Sequence, residues 1–112
     1  MVESRFQKEM KVNERTRMIV QQAKEKGWNN TDNWLFRKLQ NEIAELDDSI
    51  QQGDSPEEIA TEYIDIIYIL DQILSNHIDD DLDMEFVFLK KFKANENTPK
   101  KTWEEGKGIV KK

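Results

Sequence analysis

The 112-residue chain contains no cysteine, which excludes disulfides and thiolate metal sites. Its two prolines and four glycines are too few for the many tight turns of a β-sandwich. There is a single histidine, His77, which fits a helix end better than a ligand set. No apolar run reaches the roughly 20 residues of a membrane span, and the N-terminus lacks the apolar stretch of a signal peptide. A cytoplasmic location is therefore expected. Cationic charge is also scarce: 17 basic residues face 23 acidic ones, for a net charge of −6. Such a chain repels phosphate backbones and anionic lipid, so neither polymeric nucleic acid nor membrane is an expected partner.

What is present is a mixture of 36% charged and 37% apolar residues, as in long amphipathic helices. The length suits a single domain with a modest core. An all-α fold is expected over 1–112: an N-terminal helix over about 1–27, a helical core over about 28–95, and a polar basic tail over about 96–112. The first helix runs from about Glu3 to Lys26 and stops at Gly27, with Phe6, Met10, Ile19 and Ala23 facing a core and a break near Asn13 and Thr16. Asn29-Asn30-Thr31-Asp32 supplies cap residues for a second helix, which ends near Gln52 before Gly53. Leu35, Leu39, Ile43, Leu46 and Ile50 recur on one face of it. Ser55-Pro56-Glu57-Glu58 starts a third helix with a capping box, running to about Asn76. Its centre, Tyr63 to Leu70, is apolar nearly all round, so a second copy of the chain is the expected cover, as a homodimer or higher oligomer. The acidic stretch Asp79 to Asp83 begins a fourth helix carrying Phe86, Leu89 and Phe92. Thr98-Pro99 ends it.

Two acidic pairs carry the chemistry, Glu42-x-x-Glu45 on the second helix and Glu62-x-x-Asp65 on the third. Residues three apart differ by about 60° around a helix axis, so each pair projects to one side. Both pairs border apolar stripes, and a hairpin through Gly53-Asp54 brings all four carboxylates together. Clustered carboxylates repel, and a hard divalent cation with oxygen ligands relieves them. Asp65 stands among isoleucines, where an unpaired buried charge would cost several kcal/mol on the order of magnitude.

Lys38-Leu39-Gln40-Asn41-Glu42-Ile43-Ala44-Glu45-Leu46 followed by Glu62-Tyr63-Ile64-Asp65 resembles the E-x-x-E … E-x-x-D signature of the MazG-like, all-α nucleoside triphosphate pyrophosphohydrolases. Sixteen residues separate Glu45 from Glu62, as suits that family's hairpin. Lys91-x-x-x-Asn95 resembles its basic and amide pair on the following helix. The likeness spans roughly Trp28 to Pro99. It implies a four-helix core assembling as a dimer or tetramer, and hydrolysis of a nucleoside triphosphate to the monophosphate and pyrophosphate. It also implies magnesium, or manganese, on Glu42, Glu45, Glu62 and Asp65. Lys91 and Asn95, and less directly Lys38, would contact phosphate or sugar, and Trp28 would stack on the base. The sequence departs from the pattern at Asn41, where many members carry glutamate, at Ala44 in place of glycine, and in a tail without the arginine some members have. Of the other tryptophans, Trp34 is expected in the core, and Trp103 over the site or a subunit edge.

Rival readings are weaker. A di-iron bundle wants Glu-x-x-His on two helices, and neither pair is followed by histidine. An EF-hand at Asp79, Asp81 and Asp83 fails because Met84 stands at the glycine position and Lys90 at the final glutamate. The serious competitor is a non-catalytic helical dimer that binds another protein, for which convergent carboxylates are not needed; a third reading is a member of the family that binds nucleotide without turning it over.

Overall fold

The computed structural model describes residues 12–79 and 81–109. These form helices α1 (Val12–Lys26), α2 (Asp32–Gln51), α3 (Pro56–Ser75), α4 (Met84–Glu96) and α5 (Lys100–Ile109), with no strand among the described residues. The all-α class is as expected. Phe6 and Met10 lie outside the described residues. No helix among the described residues is long and apolar enough to cross a membrane. The chain divides into two compact units, 1–82 and 83–112.

In the first unit, local signals set the helix ends. Gly27 and Gly53 take φ of +70° and +74°, the left-handed conformation that lets the chain leave a helix. At the end of α1 the amide of Trp28 donates to the Ala23 carbonyl and that of Gly27 to the Lys24 carbonyl, a Schellman turn. Asp54 and Gly53 repeat this pattern after α2, onto Ser49 and Ile50. The start of α3 has the expected capping box: the Glu58 amide donates to Ser55 Oγ at 3.1 Å, and the Ser55 amide to Glu58 Oε1 at 3.0 Å. At the start of α2 the N-cap is Thr31, but its side chain makes no capping bond. Instead Asn29 Oδ1 accepts from both the amide and the hydroxyl of Thr31 at 3.0 Å, an Asx turn that shapes the approach to the helix. From Val12 onward α1 runs through Asn13 and Thr16 without a break.

Cross-helix bonds establish the packing. Asp32 meets Asn76 and His77, while Ser49 meets Asp54, so α2 and α3 form an antiparallel hairpin. Arg15 meets Asp71 and Gln22 meets Tyr68, so α1 lies antiparallel to α3 on another side. The buried apolar core is small: Ile19 and Ala23 from α1, Leu35 from α2, Ile66 and Ile69 from α3. On α2 the buried residues are Leu35, Glu42 and Ser49, spaced by seven, and this row is the one that faces α3. The predicted stripe is therefore turned to one side of the seam. Leu39 and Leu46 are half-buried, and Ile43 and Ile50 remain 50% and 51% exposed.

In the second unit, α4 begins later than the acidic stretch implied, with Asp83 as its N-cap accepting from the Phe86 amide at 3.0 Å. None of its residues is buried, and Phe88 stacks on Phe92 with centroids 6.2 Å apart. The polar basic tail, for which no helix was expected, contains α5. Pro99 stops α4, yet its carbonyl accepts the first bond of the next helix, from the Trp103 amide at 2.9 Å. Proline lacks the donor a continuing helix needs but suits the entry of a new one.

A charged clamp between α1 and α3 is bidentate. Arg15 Nε donates to Asp71 Oδ2 at 2.8 Å and Nη2 to Oδ1 at 3.0 Å. Hydrogen bonding to Asp71 raises the Arg15 guanidinium above its ordinary value. Asp71 is buried, so removing Arg15 strands a carboxylate. Arg15→Met is expected to lower stability by about 1–3 kcal/mol in denaturant melts, discounted from the fully buried case because Arg15 is half-exposed. Adding Asp71→Asn should recover part of that loss.

Candidate metal centre

The hairpin has two unlike flanks, and this follows from helix geometry. On α2, Glu42 sits at the seam, Lys38 and Glu45 lie to one side, and Phe36, Ile43 and Ile50 to the other. On α3, Ile66 sits at the seam, Glu62 and Asp65 lie to one side, and Tyr63 and Leu70 to the other. Because the helices run antiparallel, the two polar sides coincide, and so do the two apolar sides.

Oxygens of Glu42, Glu62 and Asp65 all lie within 4.8 Å of one another on the polar flank. Glu42 is 7% exposed, Glu62 half-buried and Asp65 exposed. The seam thus buries Glu42, not Asp65, and this corrects the expectation that Asp65 is a buried charge among isoleucines. The neighbours of Asp65 in sequence point elsewhere: Ile66 is 100° round the axis toward the seam, and Ile64 is itself 47% exposed. The fourth predicted ligand, Glu45, is exposed and stands outside this cluster.

The electrostatics are those of crowded anions. Partial burial pushes the Glu62 carboxyl above its usual range, and the charges of Glu45, Asp65, Glu42 and Asp54 push it further. Burial and the Glu42 charge likewise raise Asp65, with Lys38 opposing. Lys38 Nζ is 3.0 Å from Glu42 Oε2 and lies 5.9 Å from the centre of the Trp34 ring, so it bridges a carboxylate and an aromatic face. One oxygen of each glutamate is left over: Glu42 Oε1 and Glu62 Oε1 are shielded from solvent without a hydrogen-bond partner. Shielded, unpaired carboxylate oxygens beside a third acidic group, Asp65, are donors of the kind that hard divalent cations take.

Alongside lies an open cavity of about 580 Å³, whose lining includes Trp28, Trp34, Lys38, Glu42, Asp65 and Tyr68. It shares Glu42 and Asp65 with the carboxylate cluster. Trp28 and Tyr68 meet at 6.5 Å with a 54° tilt. Trp34, expected in the core, is half-buried and lines this cavity. Lys38 and Trp28 are thus gathered at the site. Lys91 and Asn95 are exposed residues of α4, in the second unit. Trp103 is 66% exposed on α5. His77 lies beyond the end of α3, its Nε2 2.6 Å from Asp32 Oδ2, a helix-end role as expected. Sequence reasoning missed Tyr68, Gln72 and Asp54. The first two were within reach, since they follow Asp65 by three and seven residues on the same helix.

The raised carboxyls have a consequence for the metal-free protein. A folded-state value above the unfolded one means that ionising Asp65 disfavours the fold, so stability is greatest when it is protonated and falls as pH rises through its raised value. Asp65→Asn mimics the protonated form. It should raise the metal-free Tm near neutral pH by about 2–4 °C, and the gain should disappear below the ordinary aspartate range, as thermal melts across pH will show.

Compared with known protein families, curated proteins and solved structures, the chain matches none.

Proposed function

We propose that this chain hydrolyses a nucleoside triphosphate, deoxy or modified forms included, to the nucleoside monophosphate and pyrophosphate with magnesium. The observation that carries this reading is the meeting of three carboxylates from two helices at the edge of an aromatic cavity that shares two of them. The E-x-x-E … E-x-x-D resemblance points the same way. Glu42, Glu62 and Asp65 would hold the cation, with Glu45 adding negative charge from the rim. Magnesium, when bound, supplies neutralisation of phosphate charge and a water activated for attack at the α-phosphorus.

The chain's own groups do the remaining work. Lys38, between Glu42 and Trp34, can reach a phosphate oxygen without leaving the cavity wall. A carboxylate of the cluster beside the attacking water would take its proton. Trp28, Trp34 and Tyr68 present flat apolar surface to a base, a contact typically contributing about 1–3 kcal/mol per stacked base. The resemblance adds Lys91 and Asn95 as phosphate or sugar contacts.

A homodimer or tetramer belongs to the same proposal. Phe36, Ile43 and Ile50 on α2 and Tyr63 and Leu70 on α3 are each between 43% and 54% exposed, and they share the flank away from the carboxylates. Fully burying one such side chain contributes about 1.5–3 kcal/mol, so a second copy seated on this face gains several times that before association costs. The same face favours the competing reading, a helical dimer that only binds partners. Magnesium plus nucleotide separates the two, because only the nucleotide-binding reading gains thermal stability from them.

The deciding assay is pyrophosphate release from a panel of ordinary and damaged (deoxy)nucleoside triphosphates, with and without magnesium. Glu62→Gln and Asp65→Asn are each expected to lower the magnesium-dependent rate by at least about 100-fold with an unchanged circular dichroism spectrum. Full activity in both would remove these residues from the site. For the assembly, Ile43→Glu should shift the sedimentation coefficient toward the monomer, and an unchanged value would place the contact elsewhere.

A further inference from the structure

Lys38 brings a positive charge to the carboxylate centre before any metal does. Its Nζ lies 3.0 Å from Glu42 Oε2, and its charge acts across the hairpin on Asp65. Helix stability does not account for this pair. At a spacing of four, glutamate before lysine is the favourable order, and here the lysine comes first. The Lys38 side chain is also 43% exposed, against 9% for that of Glu42. A half-exposed ammonium on a flexible four-carbon stem is held weakly.

Glu42 is the acid that the seam buries, and one of its oxygens lies within 4.8 Å of oxygens of Glu62 and Asp65. Its Oε1 is shielded from solvent, and its Oε2 carries the ammonium. Neither oxygen stands open while Lys38 stays. A divalent cation bound through Glu42 would also be set against the ammonium, and like charges at such range repel strongly where water is partly excluded. Glu42 can serve one of the two cations at a time.

Lys38 has a place to go. The open cavity of about 580 Å³ is lined by Lys38 itself, together with Trp34, Glu42 and Asp65. Nζ is 5.9 Å from the centre of the Trp34 ring, and an aromatic face attracts a cation that leaves its carboxylate. We infer that Lys38 is an exchangeable counter-ion: it holds Glu42 in the metal-free protein, yields it to a divalent cation, and turns its ammonium into the aromatic cavity toward an anion. This rests on the metal-dependent reading above. The exchange keeps metal affinity below what the carboxylates alone would give. It also leaves a positive charge in the cavity once the acids are neutralised.

The test titrates the full chain with manganese alone and counts the free ion by electron paramagnetic resonance. Lys38→Met should bind manganese at least about fivefold more tightly than the wild type, the fold-change expected from one partly exposed ion pair. Should that variant lose its circular dichroism spectrum, Lys38→Gln removes the charge and keeps a polar side chain beside Glu42. Arg37→Met is the control. Arg37 is exposed and lies 100° round the helix from Lys38, so removing its equal charge should change affinity less than about twofold. In a Glu42→Gln background the gain from Lys38→Met should vanish, because there is no carboxylate left to release. If Glu42→Gln ends binding altogether, the Arg37 comparison decides. Unchanged or weaker binding in Lys38→Met, an equal gain in Arg37→Met, or a gain that persists beside Glu42→Gln overturns the exchange and leaves the metal centre standing. Absence of manganese binding in both the wild type and Lys38→Met overturns the two together.

Discussion

A carboxylate sits on the seam where α2 meets α3, and much of the first unit is arranged around it. Leu35, Glu42 and Ser49 form the row that α2 turns toward its partner helix. Two of these three are polar, so the hairpin forgoes apolar burial at its centre. Burying an acidic group is unfavourable unless something answers its charge. One oxygen of Glu42 is answered by Lys38 at 3.0 Å, and the other is not answered by any described residue. Placing Glu42 there also pushes the apolar stripe off the seam, and so creates the exposed face of Phe36, Ile43 and Ile50. The acidic pocket and the apolar face are two results of the same register.

The helices and their ends were largely legible from residue chemistry. A capping box, two glycines at helix ends and stripes of apolar residues are local signals, and each acts through bonds within a few residues. The convergence of three of the four acidic residues was legible too, because a short turn between two long helices forces antiparallel packing, whereas Glu45 stands outside the cluster. The rest depended on rotation. Periodicity shows that Leu35, Leu39, Ile43, Leu46 and Ile50 lie on one side of α2, but not which edge of that side meets α3. A rotation of some tens of degrees decides whether Ile43 or Glu42 is buried. The same uncertainty misplaced Asp65: its isoleucine neighbours suggested burial, yet α3 is covered on only part of its circumference.

Other features fell beyond local reading for different reasons. Thr31 is the N-cap of α2 by position, but Asn29 occupies its hydroxyl, a competition between side chain and backbone that residue type alone does not settle. Pro99 was read only as a stop, though a proline that ends one helix can also open the next. Arg15 and Asp71, 56 residues apart, form an ion pair that no spacing rule reveals.

The hairpin is fastened at both ends. Near the turn, the Ser49 hydroxyl donates to Asp54 at 2.7 Å; at the far end, Asn76 Nδ2 donates to the Asn30 carbonyl and to Asp32, and His77 adjoins Asp32. The mutual repulsion of the acids midway is therefore opposed at both ends of the rods. In the proposed metal centre the spacing between the rods would act as a calliper, since closely spaced oxygens discriminate against larger ions that demand more ligands, and fasteners remote from the acids would share in that choice.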